Sequence, residues 1–269
     1  MRLLCNCSAN HSICMNPGKN SIGSEKKCVV CGENCGRSTL LDLFSGAGGA
    51  AYGYRKAGFC VLGIDTKFQP HYAGCKFHQA DAFDYLRDHG REFDVIHASP
   101  PCQAYSSMRK GRWQERQHPD LIAPIRELIH KFGKPFVIEN VYGAPLINFP
   151  LILCGTMFDL QTKSGSQLRR HRIFETSIYL GFVPPCRHTN GSAIGVYGGG
   201  QHPERRRPNT IGVWGNSGGS SNRDGLLQFG TQDRRDAMGI DWMTGNELSQ
   251  AIPPAYTLWI GNQLMKVLK

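Results

Sequence analysis

From Ser38 onward, short apolar runs alternate with stretches that carry a helical apolar period. Thr39-Leu40-Leu41-Asp42-Leu43-Phe44 has the length of a strand and is closed by Ser45-Gly46-Ala47-Gly48-Gly49. Ala50 to Ala57 reads as a helix. Cys60-Val61-Leu62-Gly63-Ile64 reads as a second strand, ending at Asp65. A weaker third strand runs through Lys76-Phe77-His78-Gln79-Ala80 to Asp81. Phe93 to Ala98 is a fourth, leading into Ser99-Pro100-Pro101-Cys102. A helical pattern covers Asp120 to Lys131, and Pro135-Phe136-Val137-Ile138 is a fifth strand that ends at Glu139-Asn140. Strands alternating with helices predict a doubly wound, mostly parallel α/β sheet with helices on both faces.

The two flanks break this pattern. Residues 1–37 are polar and cysteine-rich with no apolar period, so they form a small appendage that needs a staple. Residues 181–230 are dense in glycine and proline and hold Arg205-Arg206-Arg207, which predicts short strands and mobile loops. Residues 38–180 form the sheet domain between them. Residues 231–269 return to helix, where Pro253-Pro254 opens a segment that runs to Leu268.

Charge adds a partner. Lys and Arg total 31 against 21 Asp and Glu, a formal surplus of +10, which favours a polyanion and nucleic acid first. No apolar run approaches the roughly 18 residues of a membrane span. The apolar stretch before Cys5 is too short for a signal peptide. A reducing, cytoplasmic setting is therefore expected, and no membrane partner. In that setting the six early cysteines, Cys5, Cys7, Cys14, Cys28, Cys31 and Cys35, read as metal ligands before disulfides. The pair Cys28 and Cys31 has the spacing with which one turn offers two thiolates to zinc. The expected set completes it with two of Cys5, Cys7 and Cys14. A two-metal cluster with His11 as a spare ligand is the alternative, and a partly oxidised tail is the bland reading.

Four sites carry candidate chemistry. The glycine turn after the first strand lets a ligand approach the backbone, at the carboxyl end of a strand where cofactors of such sheets sit. Asp65 and Asp81 end the next two strands, placed for a ribose and an adenine amino group, although each could equally cap a helix. Pro100-Pro101 stiffens the loop that carries Cys102 out past the fourth strand, where an inert core thiol is less expected. Arg109, Lys110 and Arg112 follow soon after and would favour its thiolate. Glu139 ends the neighbouring strand, so thiol and carboxyl share one edge of the sheet. Arg170 and Arg172 alternate and would face one side if extended.

In this collinear order the chain resembles the cytosine-C5 DNA methyltransferases, in particular short bacterial and phage-type ones. The resemblance runs from Ser38 to the C-terminus. It rests on Asp42 to Gly49, Pro101-Cys102-Gln103, Glu139-Asn140-Val141, Arg170-His171-Arg172, the segment Arg235 to Pro254, and Gly261-Asn262-Gln263. Two positions depart from the family pattern. Leu168 stands where a glutamine is usual, and Gln263 where a small residue is usual. The resemblance implies a Rossmann-like fold and S-adenosylmethionine as cofactor. It implies a cofactor pocket of Phe44, Ser45, Gly46, Ala47, Gly48, Gly49, Asp65, Thr66, Asp81, Ala82, Pro100, Asn262 and Gln263. Cys102 would add to cytosine C6 in a flipped base. Glu139 would bond N3 and the exocyclic amine, and Arg172, supported by Arg170, would hold O2. Residues 181–230 would contact double-stranded DNA, and the protein would act as a monomer. Methylation of RNA, transfer of a modified one-carbon group, and a non-catalytic zinc-dependent nucleic-acid binder are the rival readings.

Overall fold

The computed structural model describes residues 27–105, 119–147, 150–183, 185–197, 210–214 and 229–268. Cys5, Cys7, Cys14, His11, Arg109, Lys110, Arg112 and Arg205–Arg207 lie outside the described residues, and so do the roles expected of them.

Among the described residues, ten strands form two sheets. The strands are β1 (Thr39–Leu43), β2 (Cys60–Asp65), β3 (Lys76–Gln79), β4 (Val95–Ala98), β5 (Phe136–Asn140), β6 (Leu151–Leu153), β7 (Gln167–Leu168), β8 (Arg172–Thr176), β9 (Ala193–Tyr197) and β10 (Thr210–Trp214). The main sheet has the order β3-β2-β1-β4-β5-β8-β6. Strands β1 to β5 are parallel, and β8 runs antiparallel to both β5 and β6. The small sheet, β10-β9-β7, is parallel.

The period of two along the strands sorts the core into two layers. Leu41, Leu43, Leu62, Ile64, Ile96 and Ile138 face one side, where Leu86 of α2 (Ala82–His89) and Ile122, Ile125 and Ile129 of α3 (Ile122–His130) cover them. Leu40, Val61, Val95 and Val137 face the other. There Ala51 and Tyr54 of α1 (Gly49–Lys56) and Tyr256, Ile260 and Leu264 of α6 (Pro254–Val267) cover them. The sheet is doubly wound, as its alternating sequence predicts. The turn at residues 28–32 lays Val30 into the first layer, 1% exposed. A third core joins the small sheet to α4 (Thr231–Met238) and α5 (Gly245–Gln250) through Leu168, Ile194, Val196, Ala237, Met238 and Leu248.

Helix α6 lies alongside α1 and runs the same way. A Cβ on Gly49 would meet the Ile252 carbonyl at 2.6 Å, the Thr257 hydroxyl donates to the Ala50 carbonyl at 2.9 Å, and a Cβ on Gly261 would meet Ala57 at 2.7 Å. The amino end of α6 therefore touches the glycine turn, and its carboxyl end lies beyond the far end of α1. This corrects one expectation. Asn262 and Gln263 sit past Gly261 at that far end, where Gln263 receives a hydrogen bond from Lys266 at 2.9 Å. The residues that reach the turn are Ala251 and Ile252.

Candidate active site

The strand order reverses between β1 and β4, and the crevice above such a reversal is where open α/β sheets hold ligands. At the end of β1 the chain turns through Phe44 (φ 58°) and Gly46 (φ 49°), and Gly48 (φ 81°) caps α1. A Cβ at Gly48 would stand 2.7 Å from the Ala73 nitrogen, whereas one at Gly46 would meet nothing within 4 Å. The turn is thus closed against the chain before β3 and open above Gly46. The Gly46 N–H donates to one Asp65 oxygen at 3.0 Å, and the Lys67 N–H donates to the other at 2.9 Å. Each oxygen keeps accepting capacity for a ribose hydroxyl. The open turn, the helix start and the fixed carboxylate suit the nucleoside and amino-acid parts of S-adenosylmethionine.

The surrounding residues take distinct places. Ser45 is buried, and its N–H donates to the Ile64 carbonyl at 3.0 Å. The Phe44 ring meets Phe83 edge-on, with centroids 6.3 Å apart. Asp81 is the N-cap of α2, with Oδ1 accepting from Phe83 N (2.8 Å) and Asp84 N (3.2 Å). One of its oxygens is therefore committed to the helix. Thr66 offers its carbonyl to the Gln79 amide at 2.9 Å, and Ala82 is buried. The Ala47 carbonyl accepts from Trp242 Nε1 at 3.3 Å, and that indole packs at a tilt of 48° against Tyr52, with centroids 4.5 Å apart. His71 pairs with Glu247 of α5 at 2.9 Å. The C-terminal segment thus walls the cofactor side, which the sequence did not indicate for Trp242 or Glu247.

Beneath the turn lies a buried polar group that sequence reasoning also missed. Asp42 on β1 is fully buried, has no hydrogen-bond partner among the described residues, and is pushed well above the usual carboxylate range by burial and then by Asp65. That environment favours its neutral acid form. His97 of β4 is 4.0 Å away, and burial pushes it down to about 3, so it too is neutral. His97 links Tyr54 Oη (3.0 Å) to Ser99 Oγ (2.9 Å). This chain runs from α1 to the loop that carries Cys102.

That loop is fixed from its neighbour. Asn140, at the end of β5, donates from Nδ2 to the Pro100 carbonyl at 2.9 Å and accepts from Val141 N at 2.9 Å. Pro100 is buried, Pro101 is exposed, and Cys102 opens a short 3₁₀ turn at the mouth of the sheet, half-buried. The Tyr105 hydroxyl donates to Asp120. Glu139 is 6% exposed and pairs with Arg172, Nε to Oε1 at 2.9 Å. Burial raises the Glu139 carboxyl above its usual value, against the pull of Arg172, Arg170 and a hydrogen bond from Ser99. Burial also raises the Cys102 thiol, and Arg172 is the chief opposing influence. Sulfur, carboxylate and guanidinium therefore share one electrostatic site.

Arg170 has a different place from Arg172. Strand β8 begins only at Arg172, so the two arginines are not on one extended face. Arg170 is 1% exposed and donates to the carbonyls of Val196, Ser249 (2.8 Å) and Ala251 (3.0 Å). It ties the small sheet to the segment that reaches the glycine turn, and its charge is felt at Cys102 and Glu139.

A family model described as C-5 cytosine-specific DNA methylase matches residues 38–146, which contain the glycine turn, Cys102 and Glu139. Over that stretch the chain is similar to the cytosine-C5 DNA methyltransferases. Proteins similar to this chain include the type II methyltransferase M1.HphI of Haemophilus parahaemolyticus, 33% identical over 184 residues, covering 60% of this chain and 43% of that one. Another is the type II methyltransferase M.AgeI of Thalassovita gelatinovora, 32% identical over 119 residues, covering 38% and 28%. The chain thus spans less than half the length of these relatives. Among solved structures, the S. pombe Dnmt2 methyltransferase superposes with a TM-score of 0.54 at 12% identity, over 87% of this chain and 99% of that one. The Entamoeba histolytica methyltransferase EhMeth gives 0.51 at 10% identity, with the same coverage. These likenesses show that the chain shares the Rossmann-like fold of those two proteins.

Away from this crevice, Cys28, Cys31 and Cys35 converge with Cys60 at the start of β2, their sulfurs all within 4.8 Å of one another. Cys28 and Cys31 are the expected pair, and Cys35 is another of the six candidate cysteines; the expected completion by two of Cys5, Cys7 and Cys14 lies outside the described residues. Cys60 is a fourth that its position in an apolar strand concealed. No helix among the described residues is long and apolar enough to cross a membrane.

Proposed function

We propose that the protein transfers a methyl group from S-adenosylmethionine to C5 of a flipped cytosine in double-stranded DNA, with Cys102 as covalent nucleophile. The observation that carries this is the Cys102 thiol at the mouth of the sheet beside the buried Arg172–Glu139 pair. When bound, S-adenosylmethionine supplies an electrophilic methyl group on a sulfonium.

The chain's residues supply the rest. Cytosine C5 is a poor nucleophile until the ring is activated. The Cys102 sulfur bonds to C6, losing its proton as it adds, and Arg172 is the cation that favours the thiolate. Burial raises the Glu139 carboxyl above its usual value, which favours its taking a proton and donating it to N3 as negative charge arrives on the ring. Arg172 holds the carboxyl in place and presents its remaining donors to O2. After C5 takes the methyl group it loses its proton to a base, the C6–S bond breaks, and the thiol is restored. Burial of the site excludes water, which strengthens each of these interactions. The surplus of positive charge would serve DNA phosphates.

Incubation with labelled S-adenosylmethionine and either duplex DNA or transfer RNA, followed by mass analysis of the bases, tests this reading. 5-Methylcytosine in the DNA arm is expected. Label confined to the RNA, or a heavier group on cytosine, would overturn it.

For the cofactor, Asp65→Ala should weaken S-adenosylmethionine binding about 10- to 100-fold in calorimetry, the scale of a lost hydrogen bond to a charged group. Unchanged affinity would remove Asp65 from the ribose role. Asp81→Ala is a poorer probe, because it also removes a helix cap worth about 1 kcal/mol.

The thiols of Cys28, Cys31, Cys35 and Cys60 would hold a structural zinc ion in a four-sulfur site. That ion would fasten the appendage to the start of β2.

A further inference from the structure

The geometry points to a second zinc site of two thiolates and two imidazoles, Cys154, His171, Cys186 and His188, behind the active-site arginine. The four ligand atoms all lie within 4.8 Å of one another. Cys154 Sγ is 3.2 Å from His188 Nε2, and Cys186 Sγ is 3.5 Å from His171 Nε2. A tetrahedral zinc with its usual bond lengths sets sulfur and nitrogen ligands about 3.5 Å apart. The two rings stand at 83° with centroids 5.1 Å apart, so each can direct a nitrogen at a common point without stacking. Two thiols would release their protons on binding, and the two thiolates would balance the charge of the ion.

The surroundings are built for a fixed centre. The Thr156 hydroxyl is 3.3 Å from Cys154 Sγ and also accepts from Arg187 N at 3.2 Å. The Arg187 carbonyl accepts from the Gln167 amide at 2.9 Å, and Thr189 N donates to the Gln167 side-chain oxygen at 3.1 Å. The loop that carries Cys186 and His188 is thereby bolted to β7 on either side of His188.

Three separate stretches would be joined. Cys154 follows β6 directly, and Leu153 of that strand is the register partner of Arg172. His171 stands between Arg170 and Arg172, and its carbonyl accepts from Arg172 Nη1 at 2.9 Å. Cys186 and His188 lie on the chain that goes on to β9. The ion would therefore hold the backbone from which Arg172 reaches Glu139 and anchor the start of the region toward β9 and β10. The ligands are separated by 17, 15 and 2 positions, so no compact cysteine motif marks the site in the sequence.

Elemental analysis and X-ray absorption on protein purified under reducing conditions without chelator test the site. Cys186→Ser combined with His188→Ala removes two exposed ligands and no core packing. This variant should lose about one zinc per chain relative to the unaltered protein, since a tetrahedral site cannot be kept by two ligands. The difference is independent of whether the four-thiol site also holds an ion. Absorption by the unaltered protein needs no variant and should show nitrogen as well as sulfur around zinc. Equal zinc in both proteins, a shell of sulfur alone, or a Cys154–Cys186 disulfide in the purified chain would each overturn the proposal.

Discussion

Cys102→Ser should abolish methyl transfer, by at least about 10⁴-fold in kcat, because removing a covalent nucleophile removes the route rather than slowing a step on it. The same variant should form no adduct with a duplex carrying 5-fluorocytosine at the target. In the unaltered protein that duplex should be trapped. Fluorine at C5 cannot leave as a cation, so elimination stops after the methyl group is delivered and the C6–S bond persists. Mass mapping of the adduct matters because Cys102 is not the most exposed thiol. Among the described thiols Cys186 is exposed and Cys102 half-buried, so an adduct has to be assigned to its residue. Burial also raises the Cys102 thiol, which argues against high intrinsic reactivity toward small electrophiles. Selective trapping at Cys102 would therefore report a substrate held against it. Undiminished trapping by Cys102→Ser would remove Cys102 from the role.

The elements legible in the sequence are those whose chemistry is local. A strand of alternating leucines that breaks into Ser45–Gly49 specifies both the turn and the helix after it, within one stretch of chain. Pro100-Pro101 announces a rigid loop for Cys102, and Glu139 falls at the end of an unmistakable apolar run. What the sequence conceals is set by tertiary contacts. Gly261-Asn262-Gln263 is a short match inside a helix, and nothing local says which end of that helix meets the glycine turn. Gly49 and Gly261, read as contact points, decide it. Arg170 and Arg172 look equivalent two residues apart. Only the start of β8 at Arg172 separates a buried clamp on three carbonyls from the partner of Glu139. Cys60 reads as one more apolar residue of β2 until the turn at residues 28–32 is folded against it. Asp42 is the sharpest case: its place in an apolar strand is plain, but the lack of any partner among the described residues is visible only in the packed core.

Arg172→Ala should lower stability by about 3–5 kcal/mol near neutral pH, because it leaves a buried carboxylate without its cation. Both side chains are well buried, 12% exposed for Arg172 and 8% for Glu139, so solvent offers little compensation. The effect should depend on pH in one direction. Burial already holds the folded-state pKa of Glu139 above its unfolded value of about 4.3, and Arg172 is the chief influence pulling it down. Without Arg172 the folded value rises further. A carboxyl with a raised folded pKa binds more protons folded than unfolded, so stability falls as pH rises from the unfolded value through the folded one. The variant's deficit should therefore be smallest in acid and grow toward neutral pH. Adding Glu139→Gln to Arg172→Ala should recover part of the loss, since no charge remains to be buried. Turnover should still fall about 10²- to 10³-fold in Arg172→Ala, the scale of one lost donor in a preorganised site. Denaturant titrations of the unaltered protein and the two variants across pH 4 to 8 make the measurement. A deficit independent of pH, or one unrelieved by Glu139→Gln, would show that Arg172 serves packing rather than the charge of Glu139.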